Sequence, residues 1–268
     1  GSIEDNGGVG FTGTARDIST AVPVPSNAGG AYYFKVTVSP WSLNRAIVAQ
    51  MNSYPTNGTY TYHWDNGFGV TQNVVYKGTV VAPNYGAKTC YCSGLAFETF
   101  VIAFNNYNAQ YGHPQIGNIP DASTMQTFRR VWYGNFPETE KLATRAIPEW
   151  GAGMEVTDWE EAQEGDFVQL WRHNLTGHNP LFLSWRRDES SEITGVNYWG
   201  TQNSSNGIGT SWETFGTTNL MNRNRFYIAR AAKPRDQADY DWALGSATTA
   251  GQPSMVGSQI SNWDVYGD

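Results

Sequence analysis

Residues 93–108 constrain the chain most. Ala96, Phe97, Phe100, Val101, Ala103, Phe104 and Tyr107 recur at helical spacing and form an apolar stripe too broad for a surface helix. Such a helix has to be enclosed. Further on, residues 125–133 and 138–147 read as two short helices bounded by Pro137 and Pro148. The pattern then changes, and residues 167–172, 181–185, 192–199 and 225–230 each have strand length and composition. Their spacing suits an antiparallel sheet, so the expected class is α+β, with a buried central helix packed on that sheet.

Upstream, residues 32–38 alternate as a strand, and 41–51 carry Leu43, Ile47, Val48 and Met51 at helical spacing. Short β-type runs at 60–64 and 73–76 are separated by Gly and Asn turn signals. Residues 1–31 read as an extended arm and 234–268 as a tail of small polar residues, leaving 32–233 as the main domain. A literal G-x-G-x-x-G at 8–13 follows no apolar strand and sits in no βαβ unit, so it reads as chance in a Gly-rich segment.

Charge narrows the function. The net charge of −7 disfavours a grip on nucleic acid or an anionic membrane surface. No apolar run is long enough to span a bilayer as a helix. Charged residues make up 15% of the chain against about 25% in an average soluble domain, and aromatics make up 14%, so Asn, Thr, Ser, Gly and Tyr must carry the surface. That composition fits a secreted or periplasmic protein whose signal peptide has already been removed.

Two cysteines are too few for a disulfide framework, and Cys90 and Cys92 are too close for an ordinary loop-closing bridge. Cys92 stands where the apolar helix begins. A thiol there feels the positive end of the helix dipole and unsatisfied backbone N–H groups, which favour the thiolate and can also receive an oxyanion. The alternative is a small core residue. A nucleophilic thiol needs a base, and among His63, His113, His173 and His178 the last is best placed, directly before the run 181–185. His178 read alone is a loop histidine beside a turn, and the other three read as solvent-facing or hydrogen-bonded loop residues. Neither H-E-x-x-H nor C-x-x-C spacing occurs, and no metal or cofactor is implied.

Three motifs in order resemble a family. Cys92-Ser93-Gly94-Leu95 opens the helix, Trp159-Glu160-Glu161-Ala162-Gln163-Glu164-Gly165-Asp166-Phe167-Val168 leads into a strand, and Gly177-His178 precedes the next. This arrangement is similar to the NlpC-type and CHAP-type papain-like cysteine peptidases and amidases. Tyr91 stands where those families have Asp, and Glu164 where Pro is common. The resemblance implies a papain-like core with the nucleophile on a central helix, Cys92 as nucleophile and His178 as base. It also implies a third polar residue on the following strand to orient the imidazole. Gln202, at the end of that strand, is preferred for this role, with Asn197 on the opposite face as the alternative. Tyr76 resembles a tyrosine that helps line the site in the NlpC-type enzymes.

The implied activity is cleavage of an amide bond in peptidoglycan or another peptide or glycopeptide, through an acyl-enzyme. A rival from a different class is a non-catalytic secreted module that binds carbohydrate or cell wall on a hydrolase-like fold, in which Cys92 would be inert.

Overall fold

A computed structural model describes residues 42–64, 67–113, 115–135 and 139–233. The arm at 1–31 with its G-x-G-x-x-G, the strand at 32–38 and the tail at 234–268 lie outside the described residues.

Among the described residues the order is α1 (Asn44–Met51), β1 (Thr61–Tyr62), β2 (Val74–Tyr76), β3 (Thr79–Ala82), β4 (Thr89–Cys90) and α2 (Cys92–Tyr111). Then follow α3 (Ala122–Trp132), α4 (Ala143–Glu149), β5 (Gly153–Glu155), β6 (Phe167–Arg172) and β7 (Gly177–His178). The last elements are β8 (Leu181–Arg187), β9 (Ile193–Gln202), β10 (Gly207–Thr214) and β11 (Met221–Ala231). The protein is mixed α+β, with a seven-stranded antiparallel sheet in the order β10-β9-β8-β6-β11-β5 and β7 paired on β6.

The apolar stripe does what its breadth requires. Leu95, Phe97, Phe100, Val101 and Phe104 of α2 are fully buried, and Phe100 meets Phe128 and Trp132 of α3 and Phe167 of β6. The helix runs one residue earlier and three later than its apolar pattern, and it stops at Gly112, whose φ of 74° is the left-handed cap that glycine adopts without strain. Helix α3 starts three residues before the expected 125, because Asp121 caps it by accepting from the Thr124 N–H at 2.8 Å.

Helix α4 departs further from the expected 138–147. Leu142 takes a φ of 44°, which no helix tolerates, so the helix begins after it. Pro148 then falls inside the last turn rather than beyond it, and Trp150 N still closes onto the Ala146 carbonyl at 3.1 Å.

Both faces of the sheet are covered near its centre. Phe167, Leu181, Trp199, Ala229 and Ala231 join the core around α2, while Val168, Leu170, Phe182, Val196, Tyr198, Phe226 and Ile228 form a second core. This explains why 167–171 is a continuous buried run instead of an alternating one. The lead-in motif has a structural task here. Asp166 is buried and takes two hydrogen bonds from Arg230 of β11, one from Asn44 of α1 and one from the Gln163 N–H. It thus ties the first helix to two central strands.

Candidate active site

Strand β4 ends where α2 begins, and Tyr91 between them is extended (φ −136°, ψ 168°) with no side-chain cap on the helix. Cys92 is therefore the first residue of α2, whose first turn receives no cap from the Tyr91 side chain. The chain segment at 67–70 lies against this first turn. Tyr91 N donates to Gly69 O at 3.2 Å, and a Cβ on Gly94 would run into the carbonyl oxygens of Phe68 and Gly69. Only glycine lets the two backbones come this close.

Glu98, one and a half turns along the helix, secures the next stretch. Its carboxylate accepts from Thr71 N, Thr71 Oγ1, Gln72 Nε2 and Tyr54 OH at 2.6–3.1 Å. Burial pushes its pKa up, and these four donors offset part of that push.

His178 arrives on β7, where Gly177 and His178 pair with Trp171 and Leu170. Its side chain is 2% exposed. The imidazole is electrostatically coupled to Cys92, whose sulfur lies 3.9 Å from Ser93 Oγ, and the imidazole Nε2 has no hydrogen-bond partner. Burial by itself would lower the His178 pKa. The interaction with Cys92, helped by the Glu213 carboxylate, outweighs burial and holds it above the ordinary value, against a smaller opposing push from Arg172. The structure therefore brings together two residues 86 positions apart in sequence.

Gln202 ends β9. Leu181 pairs with Trp199 and Phe182 with Tyr198. Continued three residues along both strands, this register sets Gln202 level with His178. Gln202 is 4% exposed and its amide nitrogen donates to Ser205 Oγ, while Oε1 is unpartnered. The structure contains no bond between Gln202 and His178. Asn197 is turned to other work, donating to Ser184 Oγ at 2.9 Å and accepting from Arg186 at 3.2 Å.

The remaining candidates sit elsewhere. Cys90 is fully buried, donates to Thr201 Oγ1 at 3.3 Å, and has its thiol pushed up to about 12, chiefly by burial. Neither cysteine is in a disulfide. Tyr76 is a core anchor: its hydroxyl donates to Ile119 O at 2.6 Å and accepts from Ile116 N at 3.0 Å. His63 is exposed just past β1, His113 stacks on Tyr107, and the His173 N–H bonds Leu220 O in the loop after β6.

Three residues around His178 escaped sequence reasoning. The Tyr198 ring meets the imidazole edge-on at 5.1 Å, the Tyr198 hydroxyl donates to Glu213 Oε1 at 2.9 Å, and Arg172 grips Glu213 at 2.7 and 2.8 Å. Cross-strand register brings these residues together, and no spacing along the chain announces it. Among the described residues there is no cluster of His, Cys, Asp or Glu that could hold a metal ion, and no helix long and apolar enough to cross a membrane. No family model, curated protein or solved structure matches the chain.

Proposed function

We propose that the protein is a cysteine hydrolase that cleaves an amide bond, with Cys92 as nucleophile and His178 as general acid and base. One observation carries this reading: a cysteine in the first turn of a long helix is coupled to a buried histidine and raises its proton affinity. A core thiol and a structural imidazole need no such coupling.

The steps follow from the positions. The Cys92 thiolate attacks the amide carbonyl and forms a C–S bond, and the oxygen takes up negative charge against the N–H of the first helical turn. As the C–N bond breaks, His178 passes its proton to the leaving amine and a thioester remains. Water then attacks the thioester, His178 takes one of its protons, and the C–S bond breaks to release the carboxylic acid, which ionises to solvent, and to restore the Cys92 thiolate beside protonated His178. Once His178 is protonated its Nε2–H needs an acceptor, and the free Oε1 of Gln202, level with it on β9, suits that need after a side-chain rotation.

The architecture this reading implies is papain-like, with α2 as the nucleophile helix against the antiparallel sheet. The motifs around Cys92, Asp166 and His178 favour peptides of the bacterial cell wall as the substrate class and a secreted or periplasmic setting.

The test is iodoacetamide alkylation followed across pH, with mass mapping of both cysteines and His178→Ala for comparison. Cys92 should label well below the ordinary thiol pKa of about 8.5, and the variant should label more slowly. Labelling at an ordinary rate indifferent to His178 overturns the hydrolase reading and leaves a binding module.

A further inference from the structure

The imidazole of His178 is backed by an ion pair that the proposed reaction does not itself require. Tyr198 lies between them, its ring against His178 at 5.1 Å and 65° and its hydroxyl on Glu213 Oε1 at 2.9 Å. Arg172 donates from Nε to one Glu213 oxygen at 2.7 Å and from Nη2 to the other at 2.8 Å. This bidentate pair is well shielded, with the Arg172 and Glu213 side chains 15% and 17% exposed. Arg172 also closes the turn that delivers His178: its N–H bonds Thr176 O at 2.8 Å and its Nη1 bonds Thr176 Oγ1 at 3.1 Å. One charged pair therefore joins β6, β9 and β10 behind the histidine.

We propose that Glu213 is a positioning residue for His178, a fixed carboxylate that stabilises the imidazolium through the Tyr198 contact while Arg172 holds it in place and limits its effect. This role rests on the Cys92–His178 reading above. Burial by itself would raise the Glu213 pKa, but the bonds and charge of Arg172 hold it below the ordinary carboxylate value, so Glu213 is ionised at neutral pH. Among the described residues, the charged or titratable groups that face His178 are Cys92 from α2, Tyr198 from β9, Glu213 from β10 and Arg172 from β6. The two members of the pair act on the imidazolium with opposite sign. A purely structural pair behaves differently, because removing either half loosens the same strands and weakens the site in the same direction.

The experiment uses the full chain with Glu213→Gln and Arg172→Gln. It reads the NMR titration of the His178 imidazole and the rate of Cys92 alkylation at about pH 6.5, the ordinary imidazole value. In Glu213→Gln the His178 midpoint moves down and labelling slows by about threefold or more. In Arg172→Gln the midpoint moves up and labelling does not slow. Tyr198→Phe keeps the ring but releases the carboxylate, and it serves where a half-pair variant does not fold: it slows labelling in the same direction as Glu213→Gln, by a smaller factor. Shifts of equal sign in the two half-pair variants, or a Tyr198→Phe protein that titrates and labels like wild type, overturn the role of Glu213. If wild-type labelling is itself indifferent to His178→Ala, the underlying Cys92–His178 reading fails, whatever Glu213 does.

Discussion

Asp166 and His178 are both buried beside the central strands, and they differ in how fully their polar atoms are met. The Asp166 carboxylate receives four hydrogen bonds, from Arg230 twice, Asn44 and Gln163, and the Glu98 carboxylate on α2 receives four as well. Around His178 the account stays open, since His178 Nε2, the neighbouring Asn179 Oδ1 and Gln202 Oε1 have no partner. A saturated carboxylate holds elements in register. An unsaturated polar cluster costs stability and is kept where something else is needed from it.

The contrast can be broken at either end. Asp166→Ala leaves Arg230 buried without its counter-charge and should destabilise the protein by about 3–5 kcal/mol in urea unfolding, with Cys92 reactivity lost only as the fold is lost. A folded Asp166→Ala protein of wild-type stability would remove the structural role given to this cluster. His178→Ala should do the reverse. Labelling of Cys92 at neutral pH falls about a hundredfold, the usual worth of a positioned base, while thermal melting shows the protein still folded.

Smaller effects sharpen the difference. Gln202→Ala should slow Cys92 labelling about tenfold, as for one hydrogen bond to a charged group, and Asn197→Ala should leave it unchanged. Equal effects of the two variants would remove Gln202 from the site.

The pH dependence of stability has a definite sign. The folded protein holds the His178 proton more tightly than the unfolded chain, so this contribution is fully present below the ordinary imidazole pKa of 6.5 and is lost as pH rises through the higher folded value. In Cys92→Ala the main upward push is gone and burial dominates, so the contribution reverses. Urea midpoints measured on both sides of the imidazole range for the two proteins test this.

Cys90→Ala should cost about 1 kcal/mol or less and leave Cys92 labelling untouched, because the buried Cys90 thiol takes no part. Labelling of Cys90 in the native protein would contradict its core placement.

What the sequence displayed follows the same physics. Helix α2 was legible because seven apolar side chains at helical spacing admit no other arrangement, and β6 because its run is apolar on both faces. Strand β10 was not legible. Its residues 207–214 begin Gly-Ile-Gly and are mostly small or polar, and only pairing with β9 makes them a strand. Glu213 was hidden with it. Glu98 could have been noticed, as a carboxylate set inside the apolar helix whose surroundings would have to supply donors. For the site, sequence could nominate Cys92, His178 and Gln202 by position and motif. It could not show that the first two meet, since that depends on where the β6–β7 turn sets the histidine against α2.

That dependence has a consequence for biosynthesis. Cys92 emerges early and His178 86 residues later, and β7 is held by pairing with β6, which lies between β8 and β11. Long-range pairings of this kind form slowly, because loop closure must precede any gain from contact. On the hydrolase reading, the thiol of a nascent or misregistered chain lacks its histidine and reacts as an ordinary cysteine. On that reading, completion of the sheet is what arms it, so the chain would be shielded from its own chemistry until folding is finished.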